Sequence, residues 1–363
     1  MRGLICIPEW KNELEDFTKK KHKECKVTVL PDFFLDRLIN LDCNPAEFSS
    51  LIGDVVNHKG GSLDGIPQND LHGGNAVNVA LALARLGAEV TPIVCTSEQG
   101  LQQMKFYFKD TAVDISHVKI KDRGSITTAL EFKEKDAKAN VMLRDLGALA
   151  DFGPSDLSEV DYALMNNADY TCLFNWAGTL KHGTQLAEGV FDRAKKRGTC
   201  KTYYDTADPT PNGIAIPDLM EKILKSSLID ILSLNENEAI VYASLLDKNL
   251  NEKKEKLTFA ELAMEAARVL SKHLHARIDL HTTAFSATLK GKTEVVAPTF
   301  KVKVLRATGA GDAWTAGNII GDHNGLSDQS RLVLANAIAA CYISDPDGQS
   351  PTWKKLRNFL SDT

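Results

Sequence analysis

The second half of this 363-residue chain alternates short apolar segments typical of β-strands with longer amphipathic segments typical of helices. Strands that are joined through helices need crossover connections, which build a mostly parallel sheet covered by helices on both faces. The alternation therefore predicts an α/β fold with a mostly parallel central β-sheet flanked by helices. The predicted strands are Tyr170–Phe174, Thr199–Asp205, Ile229–Leu234 and Ala276–Thr283, and the predicted helices include Thr184–Arg197, Asn235–Leu246 and Phe259–His273.

Two segments of the first half depart from this alternation. Residues Ile52–Asp70 are rich in Gly, Asp and Asn around short apolar runs, which favours short strands and turns. Residues Val118–Leu143 favour three strands, with a turn at Asp122–Gly124. We expect Val55–Ile66 to pair with the later segment. Approximately residues 52–70 and 118–143 would then form a small β-sheet lid outside the main body.

The start of the chain has a different character from the rest. Residues 1–25 are polar, with a predicted helix between Glu9 and Lys23, and the first apolar strand is Lys26–Leu30. A single α/β domain can fill the remaining length. We therefore expect an N-terminal extension over residues 1–25 and one domain over residues 26–363.

Charge and cysteine content exclude several classes of protein. The formal net charge is −5, so no basic field indicates nucleic acid or an anionic membrane as a partner. The seven cysteines are scattered without C-x-x-C spacing, which argues against a disulfide framework and a cysteine zinc site. No stretch reaches 18 uninterrupted apolar residues. These features predict a cytoplasmic protein.

Ligands of open parallel sheets bind beyond the carboxyl ends of the strands, so strand-to-helix joints are the places to search. The strongest joint has the sequence VKVLRATGAGDAWTAGNIIG, at residues 302–321. Small residues in Thr308–Asp312 let the backbone expose successive N–H groups at a helix N-terminus, which favours an anion. Asp312 then has two interpretations: an ordinary capping acid, or a base that accepts a proton beside a phosphoryl group.

Two further joints carry polar residues. Gly73–Gly74 precede a predicted helix whose first turn contains Asn75 and Asn78, where amides suit either capping or binding of polyol hydroxyls. The third joint contains Asn235 and, three residues later, Glu238, the spacing of a helix capping box. The alternative for this pair is a role in organising hydrated Mg²⁺ near phosphates.

Together the three joints resemble the signature motifs of the ribokinase-like (PfkB) carbohydrate kinase family, over roughly Lys26–Gly348. The resemblance implies the ribokinase fold, in which a small β-sheet lid closes over the substrate and often carries a dimer interface. The matching residues are Gly73, Gly74 and Asn78 with the following ALARLG; Asn235 and Glu238 in an N-x-x-E motif; and Thr308–Asp312 with Gly317.

This resemblance implies ATP-dependent phosphorylation of a hydroxyl on a sugar or sugar-like molecule, with ATP and Mg²⁺ as cofactors and a homodimer through the lid. Asp312 would be the general base and the glycine-rich turn the anion hole. The implied site residues are Asp312, Gly309, Ala310 and Gly311 for catalysis; Asp36, Gly73, Gly74 and Asn78 for substrate; Thr308, Gly309, Gly311 and Asn336 for nucleotide; and Asn235 and Glu238 for the metal.

Some residues depart from the family pattern. Arg306 and Ala307 stand where an acid followed by Thr or Ser is usual, in a loop that binds a monovalent cation in many members. We expect the Arg306 guanidinium to take over that electrostatic role or to contact a phosphate. In the predicted lid, Arg123 and Arg144 leave an anionic acceptor open beside neutral sugars and nucleosides.

Two alternative functions remain open at this point. One is a catalytically silent relative that senses a small molecule, and the other is a nucleoside kinase of the same fold. Retention of Asp312, the glycines and Glu238 argues against a pure sensor, which needs no base. A dinucleotide-dependent oxidoreductase is disfavoured, since no G-x-G-x-x-G follows an early strand.

Overall fold

A large and a small β-sheet organise the chain in a computed structural model, which describes residues 9–134, 137–196, 198–253, 255–306 and 308–362. The strands are β1 (Lys26–Leu30), β2 (Phe34–Leu41), β3 (Gln68–Gly73), β4 (Glu89–Pro92), β5 (Cys95–Thr96), β6 (Lys119–Ile120), β7 (Ser125–Glu134), β8 (Ala137–Asp145), β9 (Tyr170–Phe174), β10 (Lys201–Asp205), β11 (Ile231–Leu234), β12 (Arg277–His281), β13 (Phe285–Lys290) and β14 (Thr293–Pro298). The helices are α1 (Glu9–Lys19), α2 (Pro45–Asn57), α3 (Asn75–Arg85), α4 (Glu98–Tyr107), α5 (Glu159–Asn167), α6 (Gly183–Lys195), α7 (Ile216–Leu219), α8 (Glu236–Leu246), α9 (Phe259–His273), α10 (Ala310–His323), α11 (Asp328–Ile343) and α12 (Trp353–Asp362).

The large sheet confirms the predicted parallel architecture. Its order is β14-β13-β12-β11-β10-β9-β1-β4; pairing is parallel from β12 to β4 and antiparallel for β13 and β14. All five residues of Tyr170–Phe174 are buried, because helices cover both faces of this strand. Cys172 and Phe174 pack into one hydrophobic core and Leu173 into the other, as the two-residue period of a strand requires.

The small sheet forms where a lid was predicted, but from different early strands. Its order is β3-β2-β7-β8, so Phe34–Leu41 and Gln68–Gly73 pair with the later segment. The expected strand at Val55–Ile66 is wrong, because helix α2 (Pro45–Asn57) covers its start and residues 58–66 form turns and irregular structure before β3 begins at Gln68. Asn44 caps this helix in a capping box with Glu47, which outweighs the β-branched residues near its end.

The N-terminal helix α1 packs against the large domain rather than extending away from it. Leu14 and Phe17 belong to the same hydrophobic core as residues of α3 and α11. The Glu13 carboxylate accepts a hydrogen bond from the Ser327 hydroxyl at 2.6 Å. None of the helices in the described part of the chain combines the length and apolar character needed to cross a bilayer.

Candidate active site

Asp312 lies in the first turn of α10, where two amides from the first turn of α3 bind its carboxylate. The Asn75 side chain donates to Oδ1 at 2.9 Å, and the Asn78 side chain donates to Oδ2 at 2.7 Å. Burial raises the pKa of Asp312 to about 7, the two amides lower it, and the charges of Asp205 and Asp32 raise it. Two of the predicted joints therefore meet at one carboxylate that can exchange a proton near neutral pH.

The start of α10 provides an uncapped helix N-terminus beside this carboxylate. Gly309 occupies the N-cap position with φ of 85°, and no side chain accepts a hydrogen bond from the first turn. A Cβ at Gly309 would lie 2.4 Å from the Tyr342 hydroxyl oxygen, so only glycine fits this position. That hydroxyl donates to the Thr308 carbonyl at 3.1 Å and holds the turn in place. The first N–H groups of the helix remain available for an anion.

His281, at the end of β12, is a neighbour of this turn that was not among the predicted site residues. A Cβ added at Gly311 would lie 3.1 Å from its Cε1, and its ring packs on Trp314 with centroids 5.1 Å apart. Burial lowers the pKa of His281 to about 4, so the imidazole is neutral around pH 7. Its apolar stacking supports the floor of the turn.

Asp36, Gly73 and Gly74 come together on the side of the small sheet next to α3. A Cβ at Gly73 would lie 2.1 Å from Oδ2 of Asp36, so the glycine makes room for this carboxylate. Asp36 Oδ1 is buried and has no hydrogen-bond partner among the described residues, which suits an oxygen that receives a ligand hydroxyl. Asn78 completes this group, because its Oδ1 lies 3.0 Å from Nδ1 of His72 and its amide reaches Asp312.

Asp32, which the sequence did not indicate, fixes the geometry of the second joint. Its carboxylate accepts hydrogen bonds from the backbone N–H groups of Asn75 and Ala76, at 3.0 and 2.9 Å. The Asn175 amide donates to the same carboxylate at 2.9 Å. This acid anchors the start of α3 and thereby places both amides that hold Asp312. Its position directly after β1 was the available signal.

Asn235 and Glu238 form the predicted capping box at the start of α8, beside a second acid that the sequence did not indicate. The Asn235 side chain donates to Oε1 of Glu238 at 2.7 Å. Burial and the charge of Asp205 raise the pKa of Glu238 well above its usual range, and burial raises the pKa of Asp205 to about 6. Among the described residues, no lysine or arginine pairs with these acids or with Asp208.

The charges of Asp205 and Asp208 act on Glu238, and a hydrated divalent cation would suit this group, since the three carboxylates do not converge closely enough to ligate one ion directly. Uncompensated, clustered carboxylates cost free energy when they ionise together, and a bound cation would offset that repulsion. Mg²⁺ prefers a small number of carboxylate oxygens and keeps several waters, which a group of two buried acids and one exposed acid can serve. Glu238 and Asp205 are both buried, whereas Asp208 is exposed.

The other predicted residues lie further from this centre. The Asn336 oxygen accepts from Trp314 Nε1 at 2.9 Å and its amide donates to the Pro298 carbonyl at 3.0 Å, so this side chain is used in packing. Its contact with a nucleotide stays a prediction without support from this geometry. Arg306 donates to the Pro346 carbonyl at 2.9 Å, and its electrostatic role stays a prediction. Ala307 lies outside the described residues.

A cleft of about 230 Å³ opens beside Asp312. His72, Asn78, Tyr107 and Gly309 contribute to its walls. Three features lie at one edge of the parallel sheet: a carboxylate with a pKa near 7, an uncapped helix N-terminus and a group of acids. This combination is typical of α/β enzymes that transfer a phosphoryl group.

Comparisons with known proteins agree with this class. A family model described as pfkB family carbohydrate kinase matches residues 51–355, and the chain therefore belongs to the pfkB family of carbohydrate kinases. It is accordingly a phosphotransferase with an alcohol group as acceptor.

Two relatives illustrate the range of acceptors in similar proteins. The chain is 26% identical over 308 residues to a ribokinase from Haemophilus influenzae, covering 83% of this chain and 91% of that protein. It is 23% identical over 331 residues to a 5-dehydro-2-deoxygluconokinase from Clostridium perfringens, covering 89% and 90% respectively.

Solved structures show the same fold. The ribokinase of Arabidopsis thaliana, complexed with ribose and ATP, has a TM-score of 0.70 at 18% identity and covers 93% of this chain and 99% of that chain. The adenosine kinase of Sinorhizobium meliloti has a TM-score of 0.69 at 17% identity and covers 94% and 99%. Both confirm the predicted ribokinase-like architecture.

Proposed function

We propose that this protein transfers the γ-phosphoryl group of ATP to a hydroxyl of a sugar or sugar-like molecule, with Asp312 as the general base. The observation that carries the proposal is the position of Asp312: its carboxylate is buried at the uncapped start of α10 and held by two amides. Its pKa of about 7 suits a group that accepts a proton from a hydroxyl at physiological pH.

Each part of this arrangement has a chemical task in the transfer. Each oxygen of Asp312 receives one amide N–H, from Asn75 or Asn78, and keeps a lone pair for the acceptor hydroxyl. Asp36 accepts a hydrogen bond from another hydroxyl and thereby orients the acceptor. The N–H groups at Gly309–Gly311 stabilise the negative charge on the transferred phosphoryl oxygens.

The nucleotide and the metal would be held along the same edge of the sheet. Thr308, Gly309 and Gly311 are proposed to contact the nucleotide phosphates, and Asn235 and Glu238 are proposed to organise Mg²⁺ through its waters, with Asp205 added to that group. When bound, Mg²⁺ supplies neutralising charge at the phosphates. Asn235 keeps Glu238 oriented through the capping box.

A homodimer through the small sheet is part of the proposal. Ile126, Val141 and Leu143 point to the face opposite Asp36, as the strand register requires, and are 43%, 47% and 57% exposed. Exposed apolar side chains on one face favour burial against another copy. Light scattering after size exclusion should give twice the monomer mass. A charged substitution such as Val141→Asp should shift the mass toward the monomer.

The first test is an ADP-release assay with MgATP against sugars, sugar acids, sugar phosphates and nucleosides. With the preferred acceptor, Asp312→Asn should lower kcat by ~10² to 10⁴, because it removes the general base. Calorimetry should show that the variant still binds ATP. Asp192→Asn, which changes an exposed acid on α6, is the matched control and should retain full activity.

Two outcomes would contradict the proposal. Near-normal turnover by Asp312→Asn would remove Asp312 from the role of base. If no compound of the panel causes ADP release but one of them binds tightly, the protein would instead be a small-molecule sensor. Preference for nucleosides over sugars would keep the chemistry and reassign the acceptor to a nucleoside kinase.

A further inference from the structure

A row of three side chains crosses the small sheet on the face that carries Asp36. The pairing of β2 with β7 sets Asp36 opposite Thr127, and the pairing of β7 with β8 sets Thr127 opposite Arg144. Residues directly opposite one another in a sheet project to the same face. Burial raises the pKa of Asp36, and the Thr127 hydroxyl and the Arg144 charge lower it, as this common face requires. Arg144 therefore faces the acceptor site.

The guanidinium of Arg144 packs over an aromatic ring and has no ion-pair partner among the described residues. Its Cζ lies 5.1 Å from the centroid of the Phe34 ring, and Phe34 is buried in the same strand as Asp36. Stacking occupies the flat face of a guanidinium and leaves the N–H groups at its edge free to donate. The side chain is exposed to solvent.

Arg144 differs from the other described cations of the small sheet. Arg37 pairs with Asp70, Arg123 with Asp145 and Lys133 with Asp42. No carboxylate lies within ion-pair distance of Arg144 anywhere in the described part of the chain. Of the two arginines that could bind an anionic acceptor, Arg123 is therefore paired with an acid, whereas Arg144 is available.

We infer that Arg144 binds the carboxylate of the acceptor, so that the acceptors of this enzyme are sugar acids. This inference rests on the proposed kinase function. The guanidinium edge matches a carboxylate with two parallel hydrogen bonds. The backbones of Asp36 and Arg144 are two strand spacings apart, about 9.5 Å. A sugar acid can therefore place hydroxyls at Asp36 and Asp312 and its carboxylate at Arg144.

The charges around the row favour a carboxylate over a phosphate ester. A carboxylate carries one negative charge, which a single guanidinium neutralises. A phosphate ester carries nearly two, and its excess charge would face Asp36 and the buried Asp32. The Arg144 charge already acts on both acids, since it is among the causes that lower their pKa values.

The test compares matched acids and neutral sugars, by calorimetry and by ADP release. The acids are D-gluconate, 2-dehydro-3-deoxy-D-gluconate and 5-dehydro-2-deoxy-D-gluconate; the neutral compounds are D-glucose, D-ribose and D-fructose; D-ribose 5-phosphate represents the phosphate esters. The wild type should bind an acid most tightly. Arg144→Met should weaken that binding by ~10- to 100-fold, the value of a bidentate charged contact, with neutral sugars unchanged.

Arg123→Met is the matched control, because it removes a paired arginine from the turn that enters the same sheet, and it should leave acid binding unchanged. A preference for neutral sugars, or acid binding that is unaffected by Arg144→Met, would overturn the inference. So would a preference for ribose 5-phosphate. Acid binding that depends on Arg144 without any phosphoryl transfer would instead contradict the kinase function, whereas transfer to neutral sugars alone contradicts only the inference.

Discussion

Buried acids of the large domain are in opposite electrostatic states, according to their partners. Asp279, in the middle of β12, and Asp322, near the end of α10, both pair with Arg277, and Asp279 also pairs with Arg331. Burial alone would raise the pKa values of both acids, but these cations lower them below the usual range. Asp312, at the start of α10, has amide partners only, and its pKa rises to about 7.

The difference separates carboxylates with arginine partners from a carboxylate without a cation. Removing one partner of a buried ion pair is destabilising, because the other charge loses its compensation. A buried carboxylate without a cation has a pKa near neutrality, where it can take up and release protons. The same residue type is therefore ion-paired at Asp279 and Asp322 and left without a cation at Asp312, the proposed base.

The sharpest way to break this comparison is to make the same substitution in both kinds of acid. Asp279→Asn removes the buried acid shared by Arg277 and Arg331, which keep only Asp322 and Asp328 as partners, and should lower the free energy of unfolding by at most ~3–5 kcal/mol. Asp312→Asn removes a charge that has no cationic partner, and should leave the free energy of unfolding unchanged or higher. Urea denaturation at pH 8 measures both. Equal losses at the two positions would refute the division.

The pH dependence of stability should have opposite signs for the two kinds of acid. Asp312 titrates near 7 in the folded protein and near 4 unfolded, so its contribution is present below pH 4 and is lost as the pH rises to 7. Asp312→Asn should therefore gain stability over wild type across this window, by ~1.4 kcal/mol per unit of pKa difference at most.

The contribution of Asp279 to stability depends on pH in the opposite direction. Its folded pKa is below its unfolded value, so its stabilising contribution is present above about pH 4 and disappears as the pH falls through the folded pKa. The stability gap between wild type and Asp279→Asn should accordingly shrink in acid. Denaturation series at pH 3, 5 and 8 compare the two variants, and parallel curves for both would contradict the assignment.

The rate of the proposed reaction should report the same pKa. The base acts as a carboxylate, so kcat/KM should rise about tenfold per pH unit below 7 and level off above it. A profile that is flat between pH 5.5 and 8, measured with a non-sticky acceptor, would show that Asp312 does not titrate in this range.

The smallest expected effect comes from the amides. The Asn78 side chain stabilises the ionised form of Asp312, so Asn78→Ala should move the rising limb of kcat/KM to higher pH, by less than one unit. Asn249→Ala, which changes an exposed asparagine beyond the C-terminal end of α8, is the matched control and should leave the rising part of the profile at the same pH. A shift to lower pH would contradict the role of the amide.

Much of the large sheet was predictable because its signals are local. Tyr170–Phe174 and Phe259–His273 have the predicted bounds, since an apolar run or an amphipathic period fixes each. The helix at Pro45–Asn57 was missed, although Asn44, Pro45 and Glu47 form a recognisable N-terminal capping pattern. There the short apolar runs and turn residues that follow were given more weight than the cap.

The site was only partly predictable because distant segments complete it. Asp312 and Gly309 carry their signal in five adjacent residues. Asp32 and Asp205 act through neighbours more than 40 positions away or on other strands, and no local pattern reveals such partners. Asn336 shows the converse: nothing in the sequence indicated that the side-chain oxygen of this helical residue accepts a hydrogen bond from Trp314 in the core.

Only Gly74 separates β3, at the edge of the small sheet, from α3, whose first turn binds the base. A tilt of that sheet would act through this one residue on the start of α3, whose first N–H groups are held by Asp32. The small sheet and the proposed base are thus joined over a very short stretch of chain, and the Asp32 anchor fixes the two amides on Asp312 against such a tilt.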